Sequence, residues 1–303
     1  MSITTQAAID ARRVRRGIQR RLISMRRWPI SSFVVIGAII LAAVFAPWVT
    51  SHDPIAGNLA DRQIPPLLFG GSSAHVLGTD NLGRDILSRI AYGARISVLV
   101  ATITLGVGGA LGSLIGLISG YAGGWVDELI MRMVDIKFSL PLILIALALA
   151  VILGPSLPLL LGLLAFLIWG SFARQARAQT MLLKEMDYVK LAKVAGASPV
   201  RVVGRHILPG VMNTILVVAT MQVGSVILAE ASLSFLGAGV PPPTPSWGSM
   251  VAEGRLYINT AWWVSLVPGL VIGLLVASTT LLGDWLRDRL DPRLRQAVAD
   301  SQR

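Results

Sequence analysis

The sequence predicts an all-α integral membrane protein with six transmembrane helices. The first observation is composition: of 303 residues, 54% are hydrophobic and only 14% are charged, whereas a soluble domain usually carries about 25% charged residues. The second is that long runs of the chain contain no charge at all. The third is an unequal distribution of positive charge between the loops on the two sides. Together they exclude a single soluble globule.

Five charge-free runs place the spans, because a bilayer core requires roughly 20 apolar residues of a helix. They cover residues 30–49, 96–120, 138–173, 207–229 and 256–283. The third run is long enough for two helices, and Gly154-Pro155 near its middle is a strong helix breaker. We therefore predict helices over about 30–49, 96–120, 135–153, 157–174, 210–232 and 263–283.

A signal peptide is the alternative interpretation of the first helix, since Arg26 and Arg27 precede it. The apolar run is longer than the roughly 7–15 residues of a signal peptide, and no small-residue cleavage site follows before Pro47. The first helix is therefore predicted to be a membrane span.

Lys and Arg residues predict which side each loop faces. With the N-terminus inside, 22 of the 27 fall in cytoplasmic segments and 5 on the other side, as the positive-inside rule requires. Both termini are therefore expected in the cytoplasm. The densest cluster lies in the N-terminal tail: Arg12, Arg13, Arg15, Arg16, Arg20, Arg21, Arg26 and Arg27. It indicates a topology anchor near anionic lipid, and the lack of interleaved aromatic residues disfavours nucleic acid as its partner.

In chain order, the predicted segments are a basic cytoplasmic tail (1–29), the first helix (30–49), an extracytoplasmic segment with an interfacial helix (50–95), a five-helix core (96–283) with a cytoplasmic loop (174–208), and a cytoplasmic tail (284–303). Thr79 or Asp80 is expected to cap the interfacial helix. Its apolar stripe would be Leu82, Ile86 and Ile90, with Arg84, Asp85 and Arg89 around it at the membrane surface. Trp247, Trp262 and Trp263 are expected at the outer interface.

The interiors of the spans carry two features. Gly108, Gly112, Gly116 and Gly120 recur every four residues and share one helix face, which favours close packing against another helix; a flexible stripe along a pore is the alternative. Glu230 is the exceptional charge near the outer end of the fifth span, and a structural cap or pair is favoured over a place on a substrate path.

The residues indicate no catalytic machinery. His52, His75 and His206 fall in predicted loops or interfaces without metal-ligand spacing, and no lysine follows a glycine as a phosphate loop requires. We therefore expect no enzyme activity and no catalytic or metal site. The scarcity of charge inside the spans also disfavours an ion-driven carrier, which needs ionisable groups at mid-membrane depth.

The cytoplasmic loop 174–208 is predicted to be structured. A helix over 182–195 should end at Gly196, and a second short helix should begin with Ser198 as N-cap and Pro199 at its first position. The second helix should run over 200–207 until Pro209 marks the next span. On the residues alone, a docking device for another protein and an amphipathic connector at the lipid surface are equally favoured.

A resemblance decides between them. The stretch KLAKVAG at 190–196, followed by HILP at 206–209, resembles the EAA loop of ABC-importer permeases, with Ala192, Gly196, Leu208 and Pro209 at the family spacing. Lys190, Leu191 and His206 depart from that pattern, and its glutamate is missing. Further stretches resemble the C-type permease of dipeptide and oligopeptide importers: LGTD at 77–80, GRD at 83–85, SR at 88–89, YGAR at 92–95, FLG at 235–237, PPPTPSWG at 241–248, and GD at 283–284 with RD at 287–288 and LDP at 290–292.

The resemblance implies a type I, MetI-like permease in a bacterial inner membrane. It implies half of a heterodimeric pore with a homologous second permease, two ATPase subunits that bind ATP and Mg²⁺, and an extracytoplasmic substrate-binding protein. The expected substrate is a dipeptide or oligopeptide; nickel or another small solute is the alternative in the same architecture, and an ATP-independent channel or secondary carrier is the alternative class. The residues expected to couple to the ATPase are Lys190, Ala192, Gly196, Ala197, Ser198, Pro199, Val200, Val203, Leu208 and Pro209.

Overall fold

A computed structural model describes residues 28–290, and over that part of the chain the regular elements are all helical. The helices are α1 (Ile30–Val49), α2 (Ile86–Ala122), α3 (Gly124–Ser139), α4 (Leu142–Leu153), α5 (Leu157–Lys184), α6 (Asp187–Val194), α7 (Pro199–Arg201), α8 (Leu208–Phe235), α9 (Trp247–Gly254) and α10 (Trp263–Leu290). The predicted all-α fold is confirmed. The N-terminal arginine cluster and residues 291–303 lie outside the described residues.

Five helical stretches within residues 28–290 are long and apolar enough to cross a membrane. They are α1, α2, α5, the stretch Pro199–Phe235 that includes α8, and α10. The first predicted helix has the observed bounds, Ile30–Val49. The last was predicted to end at residue 283 but continues to Leu290.

The predicted third span, 135–153, is wrong as a single helix. The structure has α3 and α4 instead, bent by 77° at a short break between them. The cause is Pro141, which forces the preceding residue out of the helical region. Leu140 accordingly takes an extended conformation, with ψ at 129°. Taken together, α3 and α4 are long and apolar enough to count as one broken span, which brings the number of candidate spans in the described chain to six.

The predicted interfacial helix ahead of the second span is also wrong. The chain over 79–85 is not helical, and α2 begins at Ile86 and continues for 37 residues without a break. Asp85 rather than Thr79 or Asp80 is its N-cap, accepting a hydrogen bond from the backbone N–H of Ser88 at 2.7 Å. The side chain of Asp80 is drawn instead into contacts with arginines, described below.

The loop predicted over 174–208 starts later than expected. Helix α5 continues through Lys184, ten residues beyond the predicted end, and α6 is a separate helix over Asp187–Val194. No proline or glycine marks the break between them. Pro209 does not separate two helices either, because a π-helical turn over Val202–Ile207 leads directly into α8. A wider π turn accommodates a proline, since its missing N–H and bulky ring disturb an ordinary α-helical turn.

Helices α2 and α5 form the closest contact of the bundle, and the glycine stripe of α2 creates it. A Cβ atom added at Gly112 or Gly116 would collide with the backbone carbonyl oxygen of Trp169 or Ala173 on α5. At Gly108 and Gly120 the added Cβ would lie 2.7–2.8 Å from the nearest atoms of α5. The interpretation of the stripe as a packing surface therefore agrees with the structure.

Two of the three tryptophans expected at the outer interface lie inside the protein. Trp247 and Trp263 are buried, and each donates its indole N–H to a backbone carbonyl oxygen: Trp247 to Ile90 at 3.0 Å and Trp263 to Thr79 at 3.1 Å. Trp262 stays half-buried. The two buried rings pack the short helix α9 and the start of α10 against α2.

Replacing Gly112 with alanine tests the packing of α2 on α5. The added methyl group has no space, so the helices must separate, at a cost of about 1–3 kcal/mol in the free energy of unfolding. Gly106→Ala is the matched control on the same helix, because a Cβ there meets nothing within 4 Å and alanine favours the helix by about 0.5–1 kcal/mol. Thermal unfolding of the full-length chain in detergent measures both. Equal stability of the two variants would contradict the packing.

Candidate functional site

The loop that was predicted to be cytoplasmic turns sharply at Gly196. The N–H of Gly196 donates to the carbonyl oxygen of Lys193 at 3.0 Å, and the N–H of Ala197 donates to that of Ala192 at 3.1 Å. This pair of bonds is a Schellman motif, which ends a helix with one residue in the left-handed conformation. Gly196 is that residue, with φ at +82°. A Cβ there would meet nothing within 4 Å, so it is backbone conformation rather than space that requires glycine.

A second helical stretch starts directly after the turn. Ser198 is the N-cap, its side chain accepting from the N–H of Arg201 at 3.4 Å, and Pro199 occupies the first helical position. Both predictions are confirmed. The stretch continues through the π-helical turn into α8, so the loop is joined to a membrane-spanning helix without a flexible connection.

The inner side of the loop is anchored in a buried apolar cluster. The cluster combines residues of α2, α5, α6, the π-helical turn and α8: Leu117, Ala176, Val189, Val202, Ile207 and Val211. Lys184 at the end of α5 also forms a hydrogen bond with α2, donating to the carbonyl oxygen of Tyr121 at 2.7 Å. The cluster therefore packs α6 together with side chains of three long helices at once.

The outer side of the loop exposes apolar side chains next to basic ones. Val194 is 86% exposed and Val200 is 83% exposed, one on each side of the Gly196 turn. Leu191 is also exposed, and Lys190 forms a surface ion pair with Glu185 at 3.2 Å. A protruding apolar tip on a well-anchored turn is suited to insertion into a groove of another protein.

A cluster of charged side chains lies at the opposite end of α2. Arg84 donates from Nε to Asp80 at 2.6 Å and from Nη2 to Glu253 at 2.6 Å. Arg89 donates to the same Asp80 oxygen and to both oxygens of Glu253, at 2.8 and 3.1 Å. We call these four residues the ionic cluster. Arg89 is only 2% exposed, so the cluster joins the start of α2 to α9 in a low-dielectric environment.

Glu253 is the member of the ionic cluster that sequence reasoning missed. Arg84 and Arg89 were expected at the membrane surface with no stated partners, and 169 residues separate Arg84 from Glu253. A pair so distant in sequence leaves no periodic signal. No spacing rule pointed to the pair of Asp80 and Arg84 either, because the chain between them is a turn rather than a helix.

The family follows from comparison with known proteins. Residues 112–296 match the family described as binding-protein-dependent transport system inner membrane component. The chain belongs to this family. Residues 25–66 of the permease also match the N-terminal transmembrane domain of oligopeptide transport permease C, so the resemblance noted from the sequence motifs is confirmed.

Several curated relatives of the permease span nearly the same length. It is 43% identical to the di/tripeptide transport system permease of Pseudomonas aeruginosa, over 86% of each chain. It is 43% identical to the dipeptide transport system permease of Haemophilus influenzae, over 87% of this chain and 89% of the relative. It is 42% identical to the glutathione transport system permease of an Escherichia coli strain, over 87% and 85%.

A solved structure supports the fold. The MetNI methionine ABC transporter in an inward-facing conformation contains a chain that matches with a TM-score of 0.51 at 18% identity, over 65% of this chain and 91% of that one. The MetI-like fold predicted for the permease is therefore confirmed. The family description and the apolar helices separately show a multi-pass protein of the inner membrane.

The ten predicted coupling residues lie along one stretch of chain, which runs from α6 through the Gly196 turn to the start of α8. The exposed ones are Lys190, Gly196, Ser198, Pro199, Val200 and Pro209, and the half-buried ones are Ala192, Ala197, Val203 and Leu208. Their contact with an ATPase stays a prediction.

Glu230 of α8 is fully buried and accepts a hydrogen bond from Ser234 at 2.8 Å.

Replacing Asp80 with asparagine tests the ionic cluster. The change leaves Arg84 and Arg89 buried with one carboxylate between them, and breaking a buried pair in this way costs about 3–5 kcal/mol of stability. Asp135→Asn is the control, because its pair with Arg174 is exposed and such pairs contribute at most about 1 kcal/mol. Thermal unfolding in detergent should show a large loss for Asp80→Asn and a small one for Asp135→Asn. The cluster would lose its assigned role if the two losses were alike.

Proposed function

We propose that this permease is one half of the translocation path of an ATP-driven importer for dipeptides or oligopeptides. The observation that carries the proposal is the anchored turn at Gly196 with its exposed apolar tip. Such a device is expected to fit a groove on an ATPase subunit. ATP and Mg²⁺ would then be bound by the partner subunits, since no phosphate-binding motif was found in this chain.

The peptide substrate is supported by the relatives. Their names give di- and tripeptides, dipeptides and glutathione as the transported solutes. These solutes are all short peptides, which favours peptide over nickel or another small solute for this permease. A substrate-binding protein would deliver the peptide on the outer side, as the family description implies.

A second permease subunit is supported by the exposed apolar surface of α4. Val151, Ile152 and Leu153 at the end of this short helix are all exposed. Side chains of this kind require either lipid or protein next to them, and a heterodimeric pore would place a homologous helix there. The positive-inside distribution supports cytoplasmic termini, and with that orientation the Gly196 turn would face the side on which the ATPases bind.

The mechanism follows from the anchoring of the loop. When the ATPase dimer closes on ATP, it would displace α6 and α7, and the buried cluster around Val189 would carry the displacement into α2, α5 and α8. Alternation of the two permease halves between inward-open and outward-open states would then move the peptide. Hydrolysis and release of the products would reset the cycle.

Transport by reconstituted protein tests the function as a whole. The permease, its partner permease, two ATPases and the binding protein in liposomes should accumulate a labelled dipeptide only when ATP is supplied. Uptake of the peptide by this chain alone without ATP would favour a channel or carrier and overturn the proposal. Uptake of nickel but not peptide by the complete complex would overturn the substrate.

Replacing Val194 or Val200 with aspartate should abolish co-purification of the ATPase subunits with the permease. Each substitution places a charge on the apolar tip, where docking would have to desolvate it. Ile55→Asp is the control, because Ile55 is an exposed aliphatic residue on the loop between α1 and α2. Retention of the ATPases by both loop variants would show that the tip is not the docking surface.

Replacing Gly196 with alanine should impair coupling. An alanine in the left-handed conformation costs roughly 1–2 kcal/mol, enough to lower the population of the docked turn about tenfold. ATP-driven peptide uptake should fall accordingly. Gly204→Ala is the control in the same loop, since Gly204 has neither a positive φ nor an atom within 4 Å of an added Cβ. Unchanged uptake by Gly196→Ala would contradict the role of the turn.

A further inference from the structure

Three side chains with metal-binding groups converge in the loop between α1 and α2. His52 follows the end of α1, His75 lies in the middle of the loop, and Asp85 is the N-cap of α2. One ligand-type atom from each lies within 4.8 Å of the other two. The sequence spacing did not indicate a metal site, because 23 and 10 residues separate the three positions along the chain. The fold alone brings them together.

Asp85 is held in place by its capping role. Its Oδ2 accepts from the backbone N–H and the hydroxyl of Ser88, at 2.7 and 2.8 Å. Its Oδ1 faces Nδ1 of His75 at 3.1 Å. The cap therefore uses one carboxylate oxygen and directs the other towards the histidine, as the outer hydrogen bonds of metal-binding carboxylates do.

The 3.1 Å between these two atoms is a hydrogen-bond distance, slightly shorter than two ligands of one ion require. A tetrahedral zinc ion with bonds of about 2.0–2.2 Å separates its ligand atoms by about 3.3–3.6 Å, so the ion enters between them once the pair opens by a few tenths of an ångström. His52 is the adjustable member: its ring centroid lies 4.5 Å from that of His75, and the side chain is only half-buried. Its Nδ1 lies 3.1 Å from the hydroxyl of Ser51 in an exposed contact, and one of its ring nitrogens is within 4.8 Å of the ligand-type atoms of His75 and Asp85.

We propose that His52, His75 and Asp85 form a binding site for one divalent transition-metal ion of the zinc class. Two imidazoles and a carboxylate bind ions of this class in preference to Mg²⁺ or Ca²⁺, which favour oxygen donors alone. Water completes the coordination as the fourth ligand. The bound ion ties the end of α1 to the start of α2 across a loop that otherwise contains only two short 3₁₀ turns.

The charges around the site are compatible with a cation. Arg84 is adjacent in sequence, but its guanidinium is occupied by Asp80 and Glu253. Asp53 next to His52 accepts from the N–H groups of Ile55 and Ala56 at 2.7 and 3.1 Å. Asp53 is the residue next to His52 in the sequence, so its carboxylate adds a negative charge to this part of the loop.

Zinc binding by the full-length chain tests the proposal. The chain carries an affinity tag free of histidine, is purified in detergent, stripped with a chelator and dialysed against buffered zinc. We expect one ion per chain, and at least about tenfold weaker binding by His52→Gln and by His75→Gln. His206→Gln is the matched control: it removes the third histidine, which is half-buried like His52 but lies in the cytoplasmic loop, and it should bind zinc as the unmodified chain does.

Asp85→Asn separates ligation from folding. Asparagine caps a helix about as well as aspartate, so the variant keeps α2 intact while metal affinity falls about 10–100-fold. X-ray absorption at the zinc edge of the unmodified chain should show nitrogen and oxygen ligands with two imidazoles. The proposal is overturned if His52→Gln binds zinc as tightly as the unmodified chain, if His206→Gln alone removes the ion, or if Mg²⁺ displaces zinc at equal concentration.

Discussion

The close approach of α2 and α5 is the constraint on which the other contacts of the permease depend. Lipid provides no hydrophobic force between apolar helices, so their association requires dense packing of backbone against backbone. The glycines of α2 allow its surface to meet the carbonyl oxygens of α5 directly. With these two helices in register, α2 presents Ile90 to Trp247 and Leu117 to the buried cluster of the cytoplasmic loop. The packing of α2 on α5 thus positions both the Gly196 turn at one end of the molecule and the ionic cluster at the other.

The two ends are built on different physical principles. At the Gly196 turn, backbone hydrogen bonds and a glycine in the left-handed conformation shape a tip that stays exposed. At the ionic cluster, the buried charges of Asp80, Arg84 and Arg89 pair with one another and with the partly exposed Glu253, and these pairs hold α9 against α2. A turn of the first kind is rigid yet accessible, as a docking element must be. A network of the second kind resists rearrangement, because moving one member strands a charge in a low-dielectric environment.

Much of the bundle was predictable because its signals are local. Charge-free runs located α1, α5, α8 and α10, and the residues Gly196, Ser198 and Pro199 predicted a turn that the structure contains. The errors arose where distant residues or one proline decide the outcome. Pro141 breaks the third span, although composition alone favours a continuous helix there. The long-range partners of Arg84, Trp247 and Trp263 convert predicted surface residues into buried ones, and no periodicity encodes such pairs.

The bend between α3 and α4 has a consequence for how the permease enters the membrane. Helix α4 has 12 residues and is therefore about 18 Å long, well short of the roughly 30 Å hydrocarbon core. A segment of that length is a poor independent substrate for the insertion machinery. We expect α4 and α5 to be inserted together as one hairpin around Gly154-Pro155, with the longer helix carrying the shorter one into the bilayer. Biogenesis of this region is then a cooperative event rather than a sequence of single-helix insertions.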